Sequence, residues 1–394
     1  MLPGNKQLIK DINRSIVLNL IKRYGPIART EIAKKSRLGL STISGISAFL
    51  LNINLIQEEL QGESSGGRRP VLLSLKPEGG SAIGLKLTET EVIIVQTDLN
   101  TKVINKKKIR IQNANDPSDY MNEVKSAVDA MLAASGMQYQ NVMGIGVGMS
   151  GFIDYKNGIC RYSPIVNWHN VPLKNEIESY FDVPVLVDNH VNTVAQFEAV
   201  FGSGQKYKDF LVVSIGRGVG LGIVINGQVY RGSQGGAGEL GHITVMEDGP
   251  ICDCGRRGCL EAFIGEPALI KQGLKAGLDK NLVKGSALTP LSLSQLAQNG
   301  DKTAIEIYSR AGHVFGVSLA TLVNLFNPEK IIVSGEGVQR VAEEFFLSMR
   351  NALSDNVFSG FDVSTEILVD PLDDIAWARG AASLVLSEVF SPPI

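Results

Sequence analysis

The sequence predicts an α/β protein in which a small basic N-terminal domain precedes a larger body of two related lobes. The chain has 394 residues, enough for two or three domains. Residues 1–80 carry 12 Lys and Arg against 6 Asp and Glu, whereas the remainder carries 26 against 34. Beyond residue 80, strand-like segments separated by helix-length stretches occur in two successive sets, which is typical of two α/β lobes.

Composition and hydropathy exclude several classes of protein. Hydrophobic residues make up 44% of the chain and charged residues 20%, which are values of a globular rather than a disordered protein. The longest nearly apolar stretch, residues 314–326, is too short and too often interrupted by polar residues to span a bilayer. The first residues lack the basic flank and apolar core of a secretory signal. We therefore expect a cytoplasmic protein without a membrane partner.

The N-terminal domain begins with a predicted amphipathic helix that ends at Gly25-Pro26. Its apolar residues recur mainly every four positions: Leu8, Ile9, Ile12, Ile16, Val17, Leu20 and Ile21. Two short helices follow, over 28–36 and 41–50, on either side of a turn that contains Gly39. Two helices joined by such a turn form a helix-turn-helix.

Two strands are predicted after these helices, at 55–59 and 70–75, with a polar segment at 62–69 between them. This order of elements is that of a winged helix-turn-helix domain, which we assign to residues 1–78. A basic domain on an acidic chain favours a polyanionic partner, here double-stranded DNA. A three-helix protein-interaction module uses the same hydrophobic spacing and is the alternative.

The third helix carries small polar side chains that can approach base edges closely. Two arginines at the base of the wing can reach phosphate or a narrow minor groove. The residues predicted to contact DNA are Arg37, Ser41, Thr42, Ser44, Ser47, Arg68 and Arg69.

The most specific motif of the chain combines one histidine with three cysteines: His242, Cys252, Cys254 and Cys259. One imidazole and three thiolates satisfy tetrahedral zinc, and a site closed by four protein ligands is structural. We predict one structural Zn²⁺ per chain. Buried reduced cysteines beside a chance histidine are the alternative. Cys160 lies outside the cluster and is predicted to be a core residue.

With these motifs in place, the chain resembles the ROK family of repressors, open reading frames and sugar kinases, and in particular its transcriptional repressors. The resemblance covers nearly the whole length. It depends on these segments: 67–70, 144–154, 164–173, 187–192, the glycine-rich turn 216–222 with Asn226-Gly227, and 238–261. It implies an actin-like, hexokinase-like body, with one lobe at 79–200 and a second, zinc-containing lobe at 201–394.

The family's sugar kinases bind the sugar through an Asn-Asp pair, the Glu and His of a Gly-Glu-Leu-Gly-His motif, and a Glu beyond the last zinc cysteine. The resemblance implies that the corresponding residues bind sugar here: Asn189, His190 in place of Asp, Glu239, His242 and Glu261. Weaker candidates for lining the same site between the lobes are Ser150, Gly151 and Asn167.

The chain departs from the kinase pattern where phosphoryl transfer needs it most. Lys86 replaces the Asp of the first phosphate loop, and that loop has lost its glycine pair. His190 replaces the catalytic Asp, and Arg217 replaces a Thr of the second phosphate loop. Because phosphoryl transfer needs metal nucleotide, phosphate-binding loops and a base together, these changes predict a protein that is not an enzyme.

We therefore expect a sugar-responsive repressor of carbohydrate-utilisation genes, released from its operator by a sugar or sugar derivative bound between the lobes. The alternative is an ATP-dependent ROK sugar kinase that has kept a DNA-binding domain. A zinc hydrolase is excluded because four protein ligands leave the metal no open position. A homo-oligomer, dimer or tetramer, is expected because two-fold proteins bind palindromic operators.

Overall fold

The computed structural model describes residues 6–59, 71–135, 142–281, 287–360 and 365–391. The chain forms two compact units. Unit 1 contains the described residues of Met1–His190 and Ala378–Ile394, and unit 2 those of Val191–Trp377. The domain boundaries expected after residues 78 and 200 stay a prediction. None of the described helices is long and apolar enough to cross a membrane.

The first elements of unit 1 have the order of a winged helix-turn-helix. They are α1 (Lys6–Tyr24), β1 (Ile27–Ala28), α2 (Arg29–Ser36), α3 (Leu40–Asn52), β2 (Ile56–Glu59) and β3 (Leu72–Leu75). The three strands form an antiparallel sheet in the order β1-β3-β2. The wing itself, with Arg68 and Arg69, lies outside the described residues.

The buried face of α1 differs from the predicted one. Val17, Leu18 and Ile21 are buried, whereas Ile9 and Ile16 are exposed. Residues spaced by four advance about 40° around a helix at each step, so an every-fourth pattern rotates out of the core along the helix. The C-terminal half of α1 therefore supplies the packing against α2, α3 and β3.

The body of unit 1 is built on a five-stranded sheet of order β11-β7-β4-β5-β6. Strands β4, β7 and β11 are parallel, and β5 and β6 are antiparallel. Three shorter strands, β8 to β10, form a second sheet. The elements are β4 (Ser81–Leu87), β5 (Glu91–Asp98), β6 (Val103–Arg110), α4 (Pro117–Ser135), β7 (Val142–Met149), β8 (Phe152–Asp154), β9 (Ile159–Ser163), β10 (Trp168–Val171), α5 (Leu173–Phe181) and β11 (Val185–Asn189).

Unit 2 repeats this sheet topology, with β14-β13-β12-β15-β16 in place of β6-β5-β4-β7-β11. The predicted class of two related α/β lobes is thus confirmed. The elements are α6 (His190–Val200), β12 (Phe210–Ile215), β13 (Val219–Ile225), β14 (Gln228–Val229), α7 (Glu261–Ile264), α8 (Glu266–Lys275), α9 (Pro290–Gln298), α10 (Lys302–Phe326), β15 (Lys330–Gly335), α11 (Glu343–Asn356) and β16 (Glu366–Pro371). Short 3-10 helices occupy Pro77–Gly79, Ser203–Lys206, Leu240–His242, Leu278–Asn281 and Glu336–Arg340.

The final helix, α12 (Asp374–Phe390), packs on the sheet of unit 1. A Cβ atom at Gly84 or Gly146 would collide with the backbone carbonyl of Ala378 or Ala381 on this helix. Gly146 therefore serves close helix packing. The glycine-rich segment 144–148 lies within strand β7, so it forms neither a turn nor a ligand-binding loop.

The last turn of α12 is held by α1. The Phe390 carbonyl accepts hydrogen bonds from Ser15 Oγ at 2.7 Å and from Asn19 Nδ2 at 2.6 Å. The Lys22 ammonium lies 4.4 Å from the centroid of the Phe390 ring. Carbonyls at a helix C-terminus lack partners within the helix, and here α1 of the N-terminal domain supplies them.

Candidate functional site

The predicted metal ligands come together in unit 2. The ligand atoms of His242, Cys252, Cys254 and Cys259 all lie within 4.8 Å of one another. Cys252 Sγ is 3.7 Å from His242 Nδ1, and Cys254 Sγ is 3.7 Å from Cys259 Sγ. A tetrahedral zinc ion with Zn–S bonds of about 2.3 Å places its sulfur ligands about 3.8 Å apart. The cluster thus has the size and the donor set of a zinc site. Cys160 is buried in the core of unit 1, as predicted.

A tight loop brings the three cysteines to the histidine. The Cys252 N–H donates to the Arg256 carbonyl at 2.8 Å, and the Gly255 N–H donates to the Cys252 carbonyl at 2.9 Å. Gly255 has φ +85° and Gly258 has φ +72°, conformations in which glycine is favoured. At Gly258 a Cβ atom would also collide with the backbone of Met246.

The three thiols must lose their protons before they can bind a metal ion. Burial raises the pKa of Cys252 to about 12, and desolvation also raises the pKa of Cys259. Desolvation acts in the same sense on Cys254, but hydrogen bonds from Arg256 and the neighbouring thiols lower its pKa to about 7. Since thiolates are the metal-binding form, a divalent cation would supply the charge that keeps all three deprotonated.

Two carboxylates predicted to bind sugar lie beside this cluster. Glu261 Oε1 is 3.9 Å from Cys252 Sγ, and Glu261 Oε2 accepts the Val219 N–H at 2.9 Å. The pKa of Glu239 is raised by desolvation and further by Glu261, while His242 opposes the shift. Glu239 as a whole residue is exposed, so solvent screening keeps the energetic effect small. The structure thus brings Glu239, His242 and Glu261 together.

The glycine-rich turn at 216–222 is closed and faces acidic groups. The Gly216 N–H donates to the Gly218 carbonyl at 3.0 Å. A Cβ atom at Gly216 would lie 2.7 Å from Glu336 Oε1, and one at Gly218 would lie 2.7 Å from Glu261 Oε2. Carboxylates this close to the turn would repel a phosphate bound at its backbone. Sequence analysis missed Glu336.

The predicted sugar residues of unit 1 gather where parallel strands end. Asn189 closes β11 beside Met149 of β7, and its Nδ2 donates to the Gly151 carbonyl at 3.0 Å. Ser150 precedes Gly151, and His190 begins α6 directly after Asn189. The carboxyl ends of parallel strands are the usual place for ligands in α/β proteins.

Two other residues singled out in the sequence have clear positions in unit 1. Lys86, opposite Gly148 of β7, lies near the same sheet edge as Asn189. Asn167 lies in the turn before β10 with φ +54°, a left-handed position that asparagine tolerates, so the turn accounts for this residue without a ligand.

The described part of the predicted DNA surface is exposed, with one exception. Arg37, Ser41, Thr42 and Ser44 are exposed, whereas Ser47 is fully buried. The prediction that Ser47 contacts DNA is therefore wrong. Ser47 lies one helical turn beyond the buried Ile43 and belongs to the stripe of α3 that packs in the domain core.

Comparison with known proteins identifies the family to which this fold and this cluster belong. A profile of the ROK family matches residues 82–388. The chain is 31% identical to the xylose repressor of Caldicellulosiruptor bescii, over 99% of both proteins. It is 29% identical to the DNA-binding transcriptional dual regulator NagC of Escherichia coli, over 97% of this chain and 94% of that protein.

Solved structures of ROK family proteins are also similar to this chain. A ROK family transcriptional regulator homologous to the E. coli MLC protein superposes with a TM-score of 0.85 and 27% identity over 97% of each chain. A ROK family glucokinase from Streptomyces griseus, in complex with glucose and AMPPNP, superposes with a TM-score of 0.67 and 27% identity, and covers 77% of this chain and 99% of its own. By profile, sequence and structure, the chain belongs to the ROK family.

Proposed function

We propose that this protein is a sugar-responsive, DNA-binding transcriptional repressor. The observation that carries the proposal is the joining of a winged helix-turn-helix, whose third helix has an exposed polar face, to a ROK body in which Lys86, His190 and Arg217 replace residues of the kinase pattern. Proteins that this chain matches over nearly their whole length are named xylose repressor and N-acetylglucosamine repressor. Phosphoryl transfer needs the phosphate loops and the base in which these replacements lie, so they favour regulation over catalysis.

The effector is proposed to be a monosaccharide or a close derivative. The carboxylates of Glu239 and Glu261 suit sugar hydroxyls, because carboxylate oxygens accept hydrogen bonds from them. The residues near Asn189 remain further candidate ligands. The finer assignments, namely one structural zinc, a homo-oligomer on a palindromic operator, and a cytoplasmic location beside the chromosome, belong to the same proposal.

The metal would act on the sugar indirectly. His242 follows Glu239 in one segment, and Glu261 follows Cys259 in another, so a metal held by the four ligands would fix both carboxylates in place. Zinc would supply a rigid link between the two segments. Its four protein ligands leave no position for substrate.

The proposal is tested with the full chain and a duplex recovered by repeated selection from a random DNA pool. Anisotropy of the labelled duplex is measured while D-xylose, D-glucose, N-acetylglucosamine or N-acetylglucosamine 6-phosphate is added. We expect tight salt-sensitive binding and release by one of these sugars. ADP release from ATP with any of them would support the kinase alternative.

Two matched variants test whether Glu239 belongs to the sugar site. Glu239→Gln should retain the duplex but respond only to higher sugar concentrations, because charged hydrogen bonds to the sugar are lost. Glu247→Gln makes the same change at an exposed glutamate of the neighbouring loop and should respond normally. A normal response in Glu239→Gln would mean that the sugar binds elsewhere.

A further inference from the structure

Arg256 forms hydrogen bonds with two of the four residues that carry the candidate metal ligands. Its guanidinium Nη2 donates to the His242 carbonyl at 2.9 Å. Its own carbonyl accepts the Cys252 N–H at 2.8 Å. No role was assigned to this residue from the sequence.

The charge of the cluster explains why a guanidinium suits this position. Three thiolates and a neutral imidazole around a divalent cation carry a net charge of −1, and the exposed Asp253 of the same loop adds another. Arginine brings a permanent positive charge and five donors in a planar fork. It can therefore balance the thiolates and hold a backbone carbonyl at the same time.

We propose that Arg256 is a positioning residue of the metal centre, which strengthens metal binding by balancing the thiolate charge and by fixing the His242 segment against the cysteine loop. The proposal rests on the proposed metal site. It does not depend on the identity of the sugar or on whether the protein binds DNA. Partners outside the ligand shell commonly change metal affinity by about 10-fold to 100-fold when they are replaced.

A solvated surface arginine without influence on the metal is the alternative, and the chain offers a matched control for it. Arg257 is the next residue, carries the same charge and is also exposed. Its side-chain hydrogen bond, from Nη1 to the Gly249 carbonyl, is 3.5 Å long and goes to no ligand residue. Replacing either arginine by glutamine removes one positive charge from the same loop. Only Arg256→Gln also removes the side-chain hydrogen bond to the His242 carbonyl.

The experiment measures Co²⁺ binding to the full-length protein by chelator competition, followed through the visible bands of tetrahedral cobalt thiolate. We expect Arg256→Gln to bind Co²⁺ about 10-fold to 100-fold more weakly than the unmodified protein. The loss should shrink at high salt, because an exposed charge is screened. Arg256→Lys should recover part of the affinity, and Arg257→Gln should change it less than about twofold.

Three results would overturn the proposal. Equal losses in Arg256→Gln and Arg257→Gln would show a general charge effect, and unchanged affinity in Arg256→Gln would show a solvated surface arginine. Failure of the unmodified protein to bind Co²⁺ would remove the metal site itself. Each of these results leaves the sugar-dependent DNA binding assay untouched, so failure here and failure of the repressor proposal can be told apart.

Discussion

Replacing Ser47 by alanine should stabilise the DNA-binding domain and leave DNA affinity unchanged. Ser47 is fully buried in α3, and its hydroxyl has no hydrogen-bond partner in the part of the chain that the structure describes. A buried polar group without a partner costs about 1–3 kcal/mol, and alanine gains about 0.5 kcal/mol in helix propensity. Allowing for the small void left behind, we expect the free energy of unfolding to rise by about 1–2 kcal/mol.

The measurement is urea unfolding of the full chain, followed by far-ultraviolet circular dichroism, beside anisotropy with the selected duplex. Thr42→Ala is the matched control, because Thr42 is exposed on the same helix. This variant should bind the duplex more weakly while its stability stays within about 0.5 kcal/mol. If Ser47→Ala lost as much DNA affinity as Thr42→Ala without any gain in stability, the assignment of Ser47 to the core would be refuted.

Three further predictions concern other parts of the chain. Burial lowers the pKa of Lys22 from 10.5 to about 7. Between these pH values the unfolded chain binds more protons than the folded chain, so the free energy of unfolding should rise with pH. Lys22→Met should abolish this rise, which is measured by urea unfolding at pH 7, 8 and 9. The Phe390 ring, which attracts the ammonium, reduces this slope without reversing it. Gly146→Ala should lower the free energy of unfolding by about 1–3 kcal/mol in the same assay, because its Cβ meets the backbone of α12, and an unchanged value would contradict that packing. The protein should show no sugar-dependent ADP release, and His190→Asp should not restore it, since Lys86 and Arg217 remain in the two phosphate loops; turnover that His190→Ala abolishes would contradict this.

Local patterns predicted the parts of the molecule that local interactions determine. The winged helix follows from short-range hydrophobic spacing and turns, and the cluster of Cys252, Cys254 and Cys259 follows from loop spacing that only a small set of chelate geometries uses. On α3, Ile43 is buried as its hydrophobicity indicates, but Ser47, which was predicted to contact DNA, is buried as well. Hydrophobicity alone does not show that a small polar side chain lies in the packed stripe.

What sequence reasoning missed depends on contacts between distant segments. Gly146 is explained only by α12, which lies more than two hundred residues further along the chain. Glu336 faces Gly216 because β15 runs parallel to β12, and no local pattern indicates that proximity. Arg256 was passed over because one charged residue in an exposed loop looks like any other until the contacts of its carbonyl and its side chain are known.

The docking of α1 against the last turn of α12 has a consequence for how the protein opens. Ser15 and Asn19 cap the Phe390 carbonyl, so fraying of the end of α12 breaks hydrogen bonds that belong to the DNA-binding domain. Segments that open together form one cooperative unit in native-state hydrogen exchange. The backbone amides in the middle of α1 and those of the last turn of α12 should therefore exchange with solvent in a single event, although nearly the whole chain separates them in sequence.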